Sequence, residues 1–308
     1  MEKAHGIMFH HFHDEQTHIK GQGSIDSLQF EKMLIWLKSN YNLLSADEWY
    51  NKAIQNSLNK KDVCITFDDN LKCQYDIALP ILKEFKLKAF WFIYTSPLIG
   101  INERLEIYRH FRFSQFNNID DFYESFNITV NNSKYAELVI QGMKLYNSDE
   151  FLKHFPFYTE NDKIFRYQRD YILKTEKYYE IMDLMIENSN LDVKQISENL
   201  WCSKSEIEHL DKLGHMIGLH SHTHPTALES LSYKEQFDEY KQCHDILSSI
   251  LSQKIISMSH PCNSYNNDTL KILEKLDVNF GFRANMEDGY NSQFEHPRLD
   301  HALLINKI

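Results

Sequence analysis

The apolar positions of this chain fall into two textures. Short runs at Gly6–Phe9, Asp62–Phe67, Ala89–Tyr94, Met216–Leu219, Ile255–Met258 and Phe280–Arg283 are nearly continuous in apolar residues, the pattern of strands buried on both faces. Between them apolar residues recur at helical spacing. Phe30, Met33, Leu34 and Leu37 follow a cap at Ser24 or Asp26, and further helices are expected around 76–85, 233–251 and 267–276. Strand and helix in alternation predict an α/β fold with a parallel sheet, which places chemistry at the C-terminal ends of its strands. From about 100 to 200 the strand signal fades, and helical periodicity at 135–146 and 171–187 predicts a mostly helical insertion or lid. The reading is one catalytic domain over 1–308 that contains this insertion.

Composition narrows the function. With 308 residues, 42% hydrophobic and 25% charged, the chain can bury a large core. A net charge of −11 without a Lys/Arg block argues against a nucleic-acid or anionic-membrane surface. No run of about 18 apolar residues predicts a membrane span, and the start at Met1–Gly6 lacks a basic segment followed by an apolar one, so a cytoplasmic protein is expected. Five scattered cysteines without a CxxC pair read as reduced thiols. Sixteen histidines matter through where they stand.

Two positions carry chemistry. Asp68 and Asp69 close an apolar strand, where two buried like charges require a cation nearby; the competing reading is turn or cap chemistry. His220-Ser221-His222-Thr223-His224-Pro225 follows a second apolar strand, and two of its imidazoles can converge on one ion; the competing reading is a polar surface loop. Taken together, one carboxylate and two imidazoles make a three-ligand site open to water and substrate, with the other Asp free to act as a base.

Thr66-Phe67-Asp68-Asp69 and His220-Ser221-His222-Thr223-His224-Pro225 resemble the first two motifs of the polysaccharide deacetylases (NodB-homology, carbohydrate esterase family 4). The resemblance implies a distorted (β/α) barrel with fewer than eight strands. It also implies that Asp68 is the general base and that Asp69, His220 and His224 hold one divalent metal, zinc first, with cobalt, nickel or manganese as alternatives. His220 with His222 is the other ligand pair considered. The third motif departs from the family pattern: Ser259-His260-Pro261-Cys262-Asn263 lacks its arginine and its aromatic residue. The backbone N–H of Cys262, after Pro261, can still serve the oxyanion, and Arg283 or Arg298 can supply charge from another loop. Leu299-Asp300-His301 matches the last motif and implies that His301 is the general acid; His10, His11 and His296 are alternatives, with His10 also read as a substrate or site-wall residue. Cys262 as a nucleophile is the weaker reading, since no basic neighbour marks it.

The resemblance thus implies a hydrolase that removes an acetyl or formyl group from an amino sugar, free, nucleotide-linked or lipid-linked, in bacterial surface glycan assembly. A different specificity on the same scaffold, such as an O-acetyl esterase, and a non-catalytic metal- and glycan-binding homologue are the competing functions.

Overall fold

A computed structural model describes residues 3–152, 159–189, 191–289 and 292–307. The chain forms two compact units, one of Met1–Glu103 with Glu198–Ile308 and one of Arg104–Ser197. The first begins with β1 (His5–Phe9), α1 (Ser27–Asn40), β2 (Asn42–Leu43), α2 (Ala46–Ile54), β3 (Asp62–Phe67), α3 (Leu79–Glu84, preceded by a π-helical turn at Gln74–Ala78) and β4 (Phe90–Ile93). The second unit is helical: α4 (Arg104–Ser114), α5 (Ile119–Asn131), α6 (Ala136–Met143), α7 (Glu160–Tyr167) and α8 (Lys174–Glu187), with α9 (Val193–Leu200) carrying the chain back. The first unit resumes with α10 (Lys204–Lys212), β5 (Met216–Leu219), α11 (Tyr233–Ser248), β6 (Ser257–Ser259), α12 (Asn267–Lys275), β7 (Phe280–Phe282) and β8 (Arg298–Asp300).

All strands pair in parallel in the order β7-β6-β5-β4-β3-β1-β8, with β2 added beside β3. The sheet nearly closes on itself with helices around it, a distorted (β/α) barrel. Alternation along each strand then decides which residues face inward. The register Gly6↔Cys64 and Met8↔Thr66 on β1/β3, Thr66↔Phe90 on β3/β4 and Phe92↔Gly218 on β4/β5 puts Cys64, Phe90 and Phe92 in one buried cluster with Phe280 and Phe282 of β7 and with Ala46, Trp49 and Ala53 of α2. The opposite face is equally apolar. Phe9 meets Phe30 of α1 edge-on at 5.0 Å, and Phe67 meets Trp91 at 4.4 Å. Both faces are covered, which is why the strands read as unbroken apolar runs.

Two glycines make room inside. A Cβ at Gly6 would lie 3.1 Å from Arg298 Cγ, and one at Gly218 would lie 2.6 Å from Ser257 Oγ. The expected strand at Ile255–Met258 is instead Ser257–Ser259, because small polar serines, not apolar residues, fill the interior beside Gly218. β8 has no apolar run at all and is set by pairing with β1, Gly6 opposite Arg298. Within the helical unit Phe122, Phe126, Phe165 and Tyr178 pack ring against ring, Phe126 and Phe165 at 5.0 Å.

Candidate metal centre and active site

The inward alternation that packs the barrel also delivers the site. Continuing two residues past Met8, Thr66 and Gly218 gives His10, Asp68 and His220, each at the C-terminal end of its strand. There the backbone bends sharply. Asp69 and Asn70 have φ of 76° and 55°, Ser221 and His224 of 65° and 56°, and Cys262 and Asn263 of 49° and 57°. Left-handed backbone at non-glycine residues costs on the order of 1–3 kcal/mol each and persists only where the surroundings enforce it. Gln74 enforces part of it: its Nε2 donates to Asp68 O at 2.6 Å and to His10 O at 2.8 Å.

Asp69 turns to the histidines. Its Oδ1 lies 3.3 Å from His220 Nε2 and 3.3 Å from His224 Nε2, and His10 Nε2 stands 3.8 Å from Oδ2. Asp69, His220 and His224 each offer one ligand atom within 4.8 Å of the others. Asp69 Oδ1 is buried and has no hydrogen-bond partner among the described residues. The tautomer of His220 follows from its other nitrogen: Nδ1–H donates to Ser259 O at 2.9 Å, with Ser259 Oγ at 2.7 Å, so Nε2 is free to present its lone pair. An orphaned carboxylate oxygen between two imidazole Nε2 atoms fits a divalent cation.

Asp68 turns to an arginine. Arg298 Nη1 donates to Asp68 Oδ1 at 2.7 Å and Nη2 to Oδ2 at 2.8 Å, a two-pronged fork. Both residues are buried. Arg298 Nε donates to Arg283 O at 3.0 Å, and its guanidinium lies over Phe92 and Phe282 at 5.7 and 5.8 Å. The charge missing from the third motif is therefore supplied from β8.

Electrostatics separate these groups. Burial pushes both Asp carboxyls up, but Arg298 and His220 hold Asp68 below the usual carboxylate range, while His224, His220 and His10 hold Asp69 well below it. Burial would lower His220, yet Asp68 and Asp69 leave it raised. Burial outweighs Asp69 at His224, which falls to about 4.

Of the other expected residues, His222 turns away: its Nδ1 meets Thr95 Oγ1 at 2.8 Å, and Glu239 of α11 accepts the N–H groups of His222 and Thr223 at 2.9 and 2.8 Å. That clamp shapes the loop that brings His220 and His224 together. His301 does not join the cluster. It is buried, with Nε2 3.0 Å from Gly23 O, Nδ1 3.3 Å from Met8 O and its ring stacked on Phe9, on the side of β1 that faces α1. Arg283 is buried and spends its guanidinium on Glu295 O at 2.9 Å, Asn285 and Glu287 O, bracing the 285–295 loop. Pro261 is buried in a short turn that Asn263 pins by accepting the Ala284 N–H at 2.8 Å. Cys262 keeps an exposed edge. Loss of water around its thiol, then the carboxylates of Asp69, Glu103, Asp68 and Glu229, push it up to about 12, so it stays protonated at neutral pH. Gln74, Glu239 and Ser259 escaped sequence reasoning, because each acts through contacts with distant segments.

A family model described as polysaccharide deacetylase matches residues 55–113 and 176–281. Poly-beta-1,6-N-acetyl-D-glucosamine N-deacetylases of Staphylococcus aureus are 35% identical over 89 residues, 29% of this chain and 30% of theirs, so the likeness spans less than a third of those relatives. Among solved structures, IcaB from Ammonifex degensii aligns over 100% of this chain and 95% of its own, with 13% identity and a TM-score of 0.58. The Streptococcus pyogenes deacetylase PplD, solved in complex with acetate, aligns over 96% and 92% with 18% identity and a TM-score of 0.54. These structures share the fold.

Proposed function

The chain belongs to the polysaccharide deacetylase family, and we propose that it is a metal-dependent hydrolase that removes an N-acetyl or N-formyl group from an amino sugar in bacterial surface glycan biosynthesis. One observation carries the reading: Asp69 Oδ1 lies unpartnered between His220 Nε2 and His224 Nε2, beside a second carboxylate held ionised by Arg298. The names of the Staphylococcus aureus relatives support an N-acetylglucosamine substrate. No helix among the described residues is long and apolar enough to cross a membrane. We assign the substrate as a precursor of the glycan, free or linked to a nucleotide or lipid.

In this reading Asp69, His220 Nε2 and His224 Nε2 hold the ion, zinc by preference. When bound, such an ion polarises the acyl carbonyl and lowers the pKa of water. Asp68 takes the proton of the attacking water, for which it must be ionised, and Arg298 keeps it so. The water oxygen bonds to the acyl carbon, and the backbone N–H at Cys262 holds the oxyanion. His10, partly exposed and 3.8 Å from Asp69, gives its Nε2 proton to the amine as the C–N bond breaks, leaving an amino sugar and a carboxylic acid, which then loses its proton to water. His10 takes this role in place of His301, whose ring nitrogens both meet backbone carbonyls. The Asp68–Arg298 fork answers one ground for the alternative of a non-catalytic homologue, the missing third-motif arginine; the other ground, the lack of a true general acid, turns on His10.

The test is metal content of the purified protein beside Asp69→Ala and His220→Ala, with acetate and formate release measured on acylated amino sugars, including poly-N-acetylglucosamine. About one ion per chain, lost in both variants together with acyl release, is expected. Wild-type protein without metal would overturn the site; metal without turnover on any substrate would favour a binding protein.

A further inference from the structure

The segment Trp201–Cys202, between α9 and the Ser203 cap of α10, touches the proposed centre from two directions. Its backbone pairs with the turn that carries Asp69. Leu71 and Trp201 form an antiparallel bridge, Cys202 N–H donates to Asn70 O at 3.0 Å, and Asn70 Nδ2 donates to Cys202 O at 3.4 Å. Two more ties continue along the same line: Lys72 pairs with Glu206, and Tyr75 OH lies 2.5 Å from His209 Nδ1. Asp69 and Asn70 are consecutive left-handed residues, and such backbone needs enforcement from outside the turn. Trp201–Cys202 supplies it.

The side chain of Trp201 works on the other ligand loop. Its buried indole Nε1–H donates to the hydroxyl of buried Tyr94, and the Tyr94 ring lies against His224, centroids 5.2 Å apart and tilted by 41°. His224 in turn packs on His220 at 4.9 Å. Without the indole N–H, the Tyr94 hydroxyl loses a buried donor and the ring that backs His224 loses one of its anchors.

We infer that Trp201 is a positioning residue for the metal centre, fixing Asp69 through the Asn70–Leu71 backbone and His224 through Tyr94. This rests on the reading of Asp69, His220 and His224 as ligands. Trp201 lies in the barrel unit, shortly after the chain returns to it from the helical unit.

Zinc affinity of the purified full chain, measured by competition with a chromophoric chelator, tests this, together with the visible spectrum of the cobalt-loaded protein. Trp201→Phe keeps an aromatic ring but removes the N–H together with the second ring of the indole, a loss of volume that Trp49→Phe controls for, and Tyr94→Phe removes the acceptor alone. Each is expected to weaken zinc binding about 10-fold, the range seen when a group supporting a metal ligand is lost. The double variant should be no weaker than either single one, and both should shift the cobalt bands. Trp49→Phe, a buried change in the barrel core, should move neither readout. Wild-type protein that binds no zinc overturns the ligand assignment and this inference with it. Wild-type protein that binds zinc, with Trp201→Phe and Tyr94→Phe binding equally well or with effects that simply add, overturns the inference alone.

Discussion

Three strands of the barrel carry the same residue type at both ends: His5 and His10 on β1, Asp62 and Asp68 on β3, His215 and His220 around β5. At the N-terminal end Asp62 and His215 are absorbed by local structure, and His5 meets Lys3 O through Nδ1 at 2.8 Å while its buried Nε2 has no partner among the described residues. Asp62, fully buried, receives Lys52 Nζ at 2.8 Å, Asn42 Nδ2 at 3.0 Å and the Asn59 N–H at 3.1 Å. His215 Nδ1 accepts the Ala89 N–H at 3.0 Å, and burial takes it down to about 4. At the C-terminal end the same residue types face one another: His220 is raised by Asp68 and Asp69, and an oxygen of Asp69 has no partner among the described residues. Residue type therefore does not mark a site. What marks it is several such groups converging on one point, as Asp69, His220 and His224 do, with a demand the surrounding fold leaves open.

The strongest way to break this contrast is to neutralise one carboxylate at each end. Asp69→Asn keeps the shape and should abolish metal binding, with acyl release falling on the order of 10³-fold, as losing several kcal/mol of transition-state stabilisation requires. Asp62→Asn should keep both metal and activity while lowering the unfolding midpoint, because Lys52 loses its buried partner. Metal loss in both variants would mean that the ends do not differ in kind.

Asp68 and Arg298 sharpen the contrast within the C-terminal end. Asp68→Asn should retain metal and lose about 10²-fold or more of its turnover, the contribution of a positioned base. Arg298→Met strands a buried carboxylate and should cost about 3–5 kcal/mol of stability by denaturant titration. Adding Asp68→Asn to Arg298→Met should restore part of that stability, and a double variant no more stable than Arg298→Met would show that the fork is not what Arg298 contributes.

His10 and His5 make the next pair. His10→Ala should lower turnover about 10²-fold at unchanged metal content, whereas His5→Ala, a change at a buried ring whose Nδ1–H donates to Lys3 O, should be visible only in stability. His301→Ala should behave like His5→Ala; a His301 variant that folds normally and loses turnover would return the acid to His301.

The sequence made one half of this site legible and obscured the other for a physical reason. Asp68, Asp69, His220 and His224 follow apolar strands, so local pattern points to the strand ends, while the choice among them came from the family resemblance and their convergence depends on the left-handed turns at Asp69, Ser221 and His224. Arg298 could not be separated from Arg283, because its partner lies 230 residues away and depends on the register of β8 against β1, a short strand without an apolar run. His301 was suggested by a three-residue pattern, which carries no information about where the turn after β8 directs its side chain: Arg298 lies inward on Asp68, while His301 packs on Phe9. Of the helical stretch, the periodicity at 135–146 and 171–187 anticipates α6 and α8. Residues 153–158 and 190 lie outside the described residues. The role of Trp201 had no signal, since an isolated aromatic beside a helix cap reads as core.

The smallest effect concerns His215, which isolates the N-terminal end from any metal chemistry. Its ring is buried against Trp91 with centroids 5.7 Å apart, and burial lowers it from 6.5 to about 4. The unfolded chain takes up this proton near pH 6.5 and the folded chain only near pH 4, so the stability it contributes is complete above pH 6.5 and is lost as the pH falls towards 4. Between about pH 7 and 5.5 the loss from this one group is about 1 kcal/mol. His215→Asn, which can still accept the Ala89 N–H, should flatten the pH dependence of urea unfolding by that amount over the same interval. An unchanged slope would mean that His215 titrates alike in the folded and unfolded chain, and the pairing of a burial-controlled His215 with a carboxylate-controlled His220 on one strand would fail.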